Sequence, residues 1–210
     1  VGVGQPQMPD HAPYPFGVNW CSSLEHAIRL TNWSFAWHLL GSDSSPLFEG
    51  EAGTVLRTRW LTSIFQHCHF IAGHLSRHSS ANNHLLGEAT GLFIATSTWP
   101  MWDSSAGWRA AAQNELEREA IQQTFPDGVN KEQATWYHHA VADMMLVAGL
   151  VARGNAMEFS PSYWQRLQSM LEYIASIMDV SGNVPQIGDA DDGLLVRFDP
   201  GRDFDPFHSL

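Results

Sequence analysis

The chain is 210 residues long and 44% hydrophobic, enough to bury the core of one domain or at most two small ones. Its 22 acidic residues against 11 Lys and Arg leave a formal net charge of −11, which excludes a phosphate-seeking basic surface and, with it, nucleic acid or anionic membrane as general partners. No apolar run approaches the roughly 20 residues that span a bilayer, and the N-terminus lacks the basic-then-apolar layout of a secretory signal.

Residues 1–16 carry Gly, Gln and four prolines without periodicity and read as an extended arm. Ser22 and Ser23 then offer a cap. Leu24, Ala27, Ile28, Leu30, Trp33, Trp37 and Leu40 recur at three- and four-residue steps, which predicts an amphipathic helix closed by Gly41. A loop over 41–53 turns the chain into a second predicted helix over 54–77. After the polar stretch 78–81, Asn82 or Asn83 starts a third, stopped by Pro100. The fourth runs from Ser104 or Ser105 to Phe125 and is broken by the Pro126-Asp127-Gly128 turn; the fifth covers about 132–152. The sixth begins at Ser160 with Pro161 in the favoured first-turn position and reaches about Met178. Strand signals are weak until the short apolar run 194–198. Helices joined by short turns pack as antiparallel hairpins, so the fold class is all-α. The periodicity leaves open whether the hairpins form a bundle or curve into a toroid.

Cys21 and Cys68 are expected to be free buried thiols rather than a bridge. The run His67, His69, His74 and His78 suggests a metal. On a helix, however, His67 and His69 point roughly 200° apart, which leaves only His74 and His78 on one face. No carboxylate stands at matching spacing, so no metal site is expected there. Asp189, Asp191 and Asp192 are a better cation candidate, since hard oxygens in a Gly-bounded loop suit calcium. The rest of a calcium-loop pattern is missing, and helix capping or orientation of cleft residues is the plainer role. No other cofactor is called for.

Four segments in order resemble heparinase II/III-type polysaccharide lyases, and heparinase III-like enzymes in particular. The first is Gly17-Val18-Asn19-Trp20-Cys21-Ser22-Ser23-Leu24-Glu25 with Ile28-Arg29 and Asn32-Trp33. The second is Asn82-Asn83-His84-Leu85-Leu86-Gly87-Glu88, and the third runs from Asp127-Gly128 through Glu132 to Tyr137-His138. The last is Gly188-Asp189-Ala190-Asp191-Asp192-Gly193. The resemblance implies the N-terminal helical toroid domain of such a lyase over 17–193, preceded by the arm 1–16. It also implies that 194–210 begin a connection to a C-terminal β-sandwich domain that this chain does not reach. By the same resemblance the substrate is an acidic polysaccharide containing uronic acid, a glycosaminoglycan such as heparan sulfate or an alginate-like polymer, cleaved by β-elimination. The protein would work in the periplasm or outside the cell. Carried over residue by residue, Asn83, His84 and Tyr137 become catalytic candidates at the mouth of the toroid, with Arg29, Trp33, Glu88, His138 and Asp189 as substrate-binding candidates. A further catalytic histidine would lie in the β-domain, so the chain is expected to be incomplete on its own.

The chemistry suits these residue types. Removing the C5 proton of a uronate builds charge beside a carboxylate that is already negative, so the carboxylate must first be neutralised. An Asn amide donating to it stabilises the enolate-like species as an oxyanion hole would, the role of Asn83. The C4 leaving oxygen needs a proton, which a phenol of pKa about 10 supplies if its phenolate is stabilised, the role of Tyr137. In a syn geometry Tyr137 also serves as base; in an anti geometry His84 or the β-domain histidine does. Each residue has a plainer alternative. Asn83 fits a helix cap, and Tyr137 fits a helix flank. Arg29 with Trp33 suits a carboxylate or sulfate under a stacked sugar, or Arg29 pairs with Glu25 one turn away. Two other functions stay open. One is a toroid glycoside hydrolase drawing two carboxyls about 5–10 Å apart from Glu88, Glu132 and Asp189. The other is a carbohydrate-binding module without chemistry. In every case the net charge requires a locally basic cleft.

Overall fold

The computed structural model describes residues 14–190. Within them the chain forms six α-helices and no strand: α1 Ser23–Leu39, α2 Gly50–Gly73, α3 Asn83–Thr98, α4 Ser105–Gln122, α5 Thr135–Gly154 and α6 Pro161–Ile177. The helix ends follow the local chemistry. Ser22 caps α1 by accepting from the Glu25 N–H at 3.4 Å, and Gly41, at φ 95°, takes the left-handed position that ends it. Asn82 caps α3 by accepting from the His84 N–H at 3.1 Å, so Asn83 is the first residue inside the helix. Ser160 caps α6 ahead of Pro161.

Two boundaries differ from the periodicity. The 41–53 loop contains the 3₁₀ turns Ser42–Ser44 and Pro46–Phe48, and α2 begins at Gly50, before the expected residue 54. α2 then stops at Gly73 rather than continuing to 77. Tertiary bonds capture the chain there: Ser23 Oγ donates to the His74 carbonyl at 2.9 Å, and Ser76 N and Oγ donate to the Glu88 carboxylate at 2.7 and 2.6 Å. His74 therefore caps a helix that His78 does not belong to, and the two do not share a helical face. The expected strand over 194–198 and the residues Asp191 and Asp192 lie outside the described residues.

Successive helices alternate between two layers. α1, α3 and α5 pack side by side, while α2, α4 and α6 cover them, with α4 also against α6. Successive antiparallel hairpins of this kind form an arc of an (α/α) toroid. α3 is the central element, buried at every position from Leu85 to Ser97. A helix apolar on all sides belongs inside. Its approach to α1 depends on Gly91, where an added Cβ would meet the Ala27 Cα and carbonyl oxygen at 2.5 Å. Gly87 faces Leu24 in the same way, one turn earlier on both helices, so α1 and α3 run in the same direction. The core between the layers is built from Leu30, Trp37, Ile64, Ile71, Phe93, Trp99, Leu116, Met145 and Tyr163.

Both thiols are free. Cys68 is buried and its thiol is pushed up to about 12 by desolvation, whereas Cys21 is exposed, contrary to expectation, because the turn before α1 lies at the surface.

Candidate active site

Glu132, in the loop before α5, binds the start of α3. Its carboxylate accepts from the Asn83 backbone N–H at 3.0 Å, from Asn83 Nδ2 at 2.7 Å and from Asn82 Nδ2 at 3.3 Å. One carboxylate thus ties the N-terminus of α3 to that of α5, where Tyr137 is the third residue. The loop is itself fixed. Glu132 N–H donates to Asn130 Oδ1 at 2.9 Å, Gln123 Nε2 donates to the Asn82 carbonyl at 2.8 Å, and Thr124 bridges Asn130. Asn83 is buried, and Tyr137 is half-buried with its ring edge-on to Trp136 at 5.4 Å.

The remaining expected site residues fall into two groups. His84, Arg29, Trp33 and Asp189 reach the surface to some degree. His84 is half-buried beside Asn83, one turn before Glu88. Arg29 makes no ion pair with Glu25 and instead donates to the Asn19 carbonyl at 3.2 Å, pinning the turn that precedes α1. Trp33 packs edge-on against His67 at 4.9 Å. Asp189 is exposed. It is held near the start of α5 because Thr135 N–H donates to the Ile187 carbonyl at 3.0 Å and Thr135 Oγ1 accepts from the Ile187 N–H at 3.1 Å. Gly188 between them has φ 72°, and a Cβ there would meet the Ala134 Cβ at 2.9 Å, so a side chain at this position would break the docking.

Glu88 and His138 form the second group, buried and committed to bonds within the fold. Glu88 is 1% exposed and spends both oxygens on Ser76; desolvation pushes its carboxyl up, and the two Ser76 bonds oppose this. His138 is 2% exposed. Its Nδ1 accepts from the Asn130 N–H at 3.2 Å, so the proton sits on Nε2, which donates to the Met170 carbonyl at 3.0 Å. Burial pushes this imidazole below its ordinary range and keeps it neutral. Glu88 braces the turn after α2, and His138 lines a small cavity with Asn130, Thr135 and Tyr173 at the start of α5.

A hydrolytic pair requires two carboxyls open to one cleft, and Glu88 and Glu132 are turned to Ser76 and Asn83 instead. Among the described residues no group of three or more His, Cys, Asp or Glu stands together to hold a metal ion. Periodicity did not single out the bracing role of Glu132, because its partners lie 49 and 50 positions away. The signal available was its place inside one of the four segments that carry the resemblance.

The family described as Heparinase II/III N-terminus matches residues 5–196 of the chain. A heparin-sulfate lyase of Pedobacter heparinus is 32% identical over 134 residues, covering 62% of this chain and 20% of that protein. A heparin-sulfate lyase of Bacteroides stercoris is 27% identical over 135 residues, again covering 20% of its length. The crystal structure of a heparan sulfate lyase from Pedobacter heparinus superposes with a TM-score of 0.64 at 26% identity, over 81% of this chain and 26% of that one. A crystal structure of heparinase III, at 18% identity and a TM-score of 0.67, shares the fold. The chain spans about a fifth of the length of the curated relatives it matches. With nearly its whole length matched and its helices arranged as in those structures, the chain belongs to the heparinase II/III family and comprises its N-terminal helical domain.

Proposed function

We propose that the domain serves a polysaccharide lyase that cleaves a uronic-acid-containing glycosaminoglycan of the heparan sulfate type by β-elimination. The observation that carries this reading is the joining of Asn83 and the Tyr137 helix through one loop. The two relatives named heparin-sulfate lyases support the choice of substrate class. Asn83 Nδ2 gives one hydrogen to Glu132, and its second is available to donate to the uronate carboxylate. That bond stabilises the enolate-like species formed when the C5 proton leaves. Tyr137 donates its phenolic proton to the C4 oxygen as the glycosidic bond breaks. His84, beside Asn83, adds a second donor or, for a C5 proton on the opposite face, the base. A histidine from a following β-sandwich domain is the other candidate base. Arg29 and Trp33 contribute charge and a ring face along the substrate, and Asp189 contacts its hydroxyls.

The test is the unsaturated uronate, which absorbs in the ultraviolet and which a hydrolase does not produce. Incubation with heparan sulfate is expected to raise the absorbance, and Asn83→Ala and Tyr137→Phe are each expected to lower kcat by about 100-fold or more. If the chain binds the polymer and cuts none, the helical domain alone is a binding half of the lyase. If it neither cuts nor binds any uronate polymer, the reading fails.

A further inference from the structure

We infer that Glu132 is a positioning residue for Asn83, holding its amide in the orientation in which it meets the uronate carboxylate; this rests on the lyase reading of the site. Three donors of the α3 N-terminus converge on its two oxygens, and two of them belong to Asn83 itself, one from the backbone at 3.0 Å and one from the side chain at 2.7 Å. Holding the backbone N–H and the side-chain amide of one residue with one carboxylate restrains the χ angles between them, which a single cap bond does not do. It also fixes which Nδ2 hydrogen Glu132 takes and which is left for a second acceptor. A neutral acceptor would be half as good, since hydrogen bonds to an ionised partner are roughly twice as strong.

The carboxylate is referenced to the rest of the fold by a continuous chain of bonds. Met170 on α6 accepts from His138, His138 accepts from the Asn130 N–H, and the Asn130 side chain accepts from the Glu132 N–H. His138 is the neighbour of Tyr137, so one frame sets the register of both reacting side chains. The neutral tautomer of His138 is part of that frame, because a protonated ring could not accept from Asn130. A plain anchor of α3 would need only the backbone bond. The additional bond to Nδ2 is what separates positioning from anchoring.

The experiment compares wild type, Glu132→Gln, Asn83→Ala and the double variant, with Glu132→Asp as the conservative control. Glu132→Gln keeps the volume but sets an NH₂ against donors, so the Asn83 amide turns. kcat on heparan sulfate is expected to fall about 100-fold with KM within about threefold, as for a misplaced catalytic group. Glu132→Asp should recover part of the loss. Because Glu132 acts through Asn83, Glu132→Gln should cost nothing further in the Asn83→Ala background. Additive losses, or a loss confined to thermal stability with kcat unchanged, would overturn the inference. The Asn83 side-chain amide signals in a ¹H–¹⁵N NMR spectrum give a readout independent of turnover. They are expected to shift in Glu132→Gln and not in Glu88→Gln; identical signals in Glu132→Gln and wild type would overturn the inference whatever the activity. If wild type neither cuts nor binds any uronate polymer while those signals still depend on Glu132, the placement stands and the lyase reading is what fails.

Discussion

His26 and His67 share a buried aromatic box between the start of α1 and the last turns of α2, with ring centroids 4.8 Å apart and Trp20, Trp33 and Phe70 around them. Each donates Nδ1–H to a backbone carbonyl one turn back, Ser22 for His26 and Ser63 for His67, and each leaves Nε2 buried without a hydrogen-bond partner. A proton added at Nε2 of His67 would have no acceptor. Burial accordingly pushes both imidazoles down, His67 to about 4. The unfolded chain, with His near 6.5, binds the proton first as pH falls, so this stability is intact above that pH and is lost between about 6.5 and 4. For His67 the loss at the acid end is about 3 kcal/mol. Asp143 and Glu88, raised by burial, act in the opposite sense over the acid range, since the folded state holds their protons more tightly. The measurement must therefore be differential. Urea unfolding of wild type and His67→Leu at pH 7 and pH 4.5 should show the variant losing less on acidification. Parallel losses would mean that the His67 ring is solvated in the native state. None of this box was legible in the sequence, where His67 was weighed only as a metal ligand, an idea that helical spacing set aside, and His26 drew no notice. Their roles come from Trp20 and His26 arriving from another element. Asn83 and Tyr137 were legible only through the resemblance, since an Asn at a helix start otherwise reads as a cap; in the fold Asn82 takes that task.

At the scale of elements, the six helices were legible because their apolar residues repeat with the helical period and Ser, Gly and Pro punctuate them. The boundaries were less so. α2 stops where Ser23 and Glu88, from α1 and α3, capture the turn after it, and no local signal reports bonds between residues 51 and 12 positions apart. The all-round burial of α3 follows from its small residues, and a matched pair of substitutions tests whether they set the helix spacing. Gly91→Ala places a methyl 2.5 Å from the Ala27 backbone. It should destabilise the domain by about 1–3 kcal/mol, the range for overpacking. Gly107→Ala, at an exposed position of α4 with nothing within 4 Å of the new methyl, should stabilise it by about 0.5–1 kcal/mol. Chemical denaturation measures both. A Gly91→Ala protein as stable as wild type would mean that α1 and α3 can separate freely, and that the central helix does not fix the layer.

Over the whole molecule the helix order decides where charge meets substrate. α1 and α3 run in the same direction, and Glu132 ties the start of α5 to the start of α3, so the sequence-distant segments of the site gather at one end of the layer. Periodicity could not place them there, since a bundle and an arc of a toroid share the same apolar stripes. The chain as a whole is acidic, and its formal charge of −11 repels a polyanion. Two terms of opposite sign then set the salt dependence. Repulsion reaches about 30 Å at 0.01 M salt and about 10 Å at 0.1 M. Counterion release scales with the number of cations engaged, which here is small, Arg29 being the cation proposed to meet the substrate. Association with heparan sulfate oligosaccharides should therefore quicken as salt rises from about 0.01 to 0.1 M, and affinity should vary with a logarithmic slope no steeper than about −2. Surface plasmon resonance across that range measures both quantities. A basic docking face would give the reverse, an affinity falling by about 10³ or more over a few-fold increase in salt. Such a fall would move the binding surface away from the Asn83 and Tyr137 end of the helices.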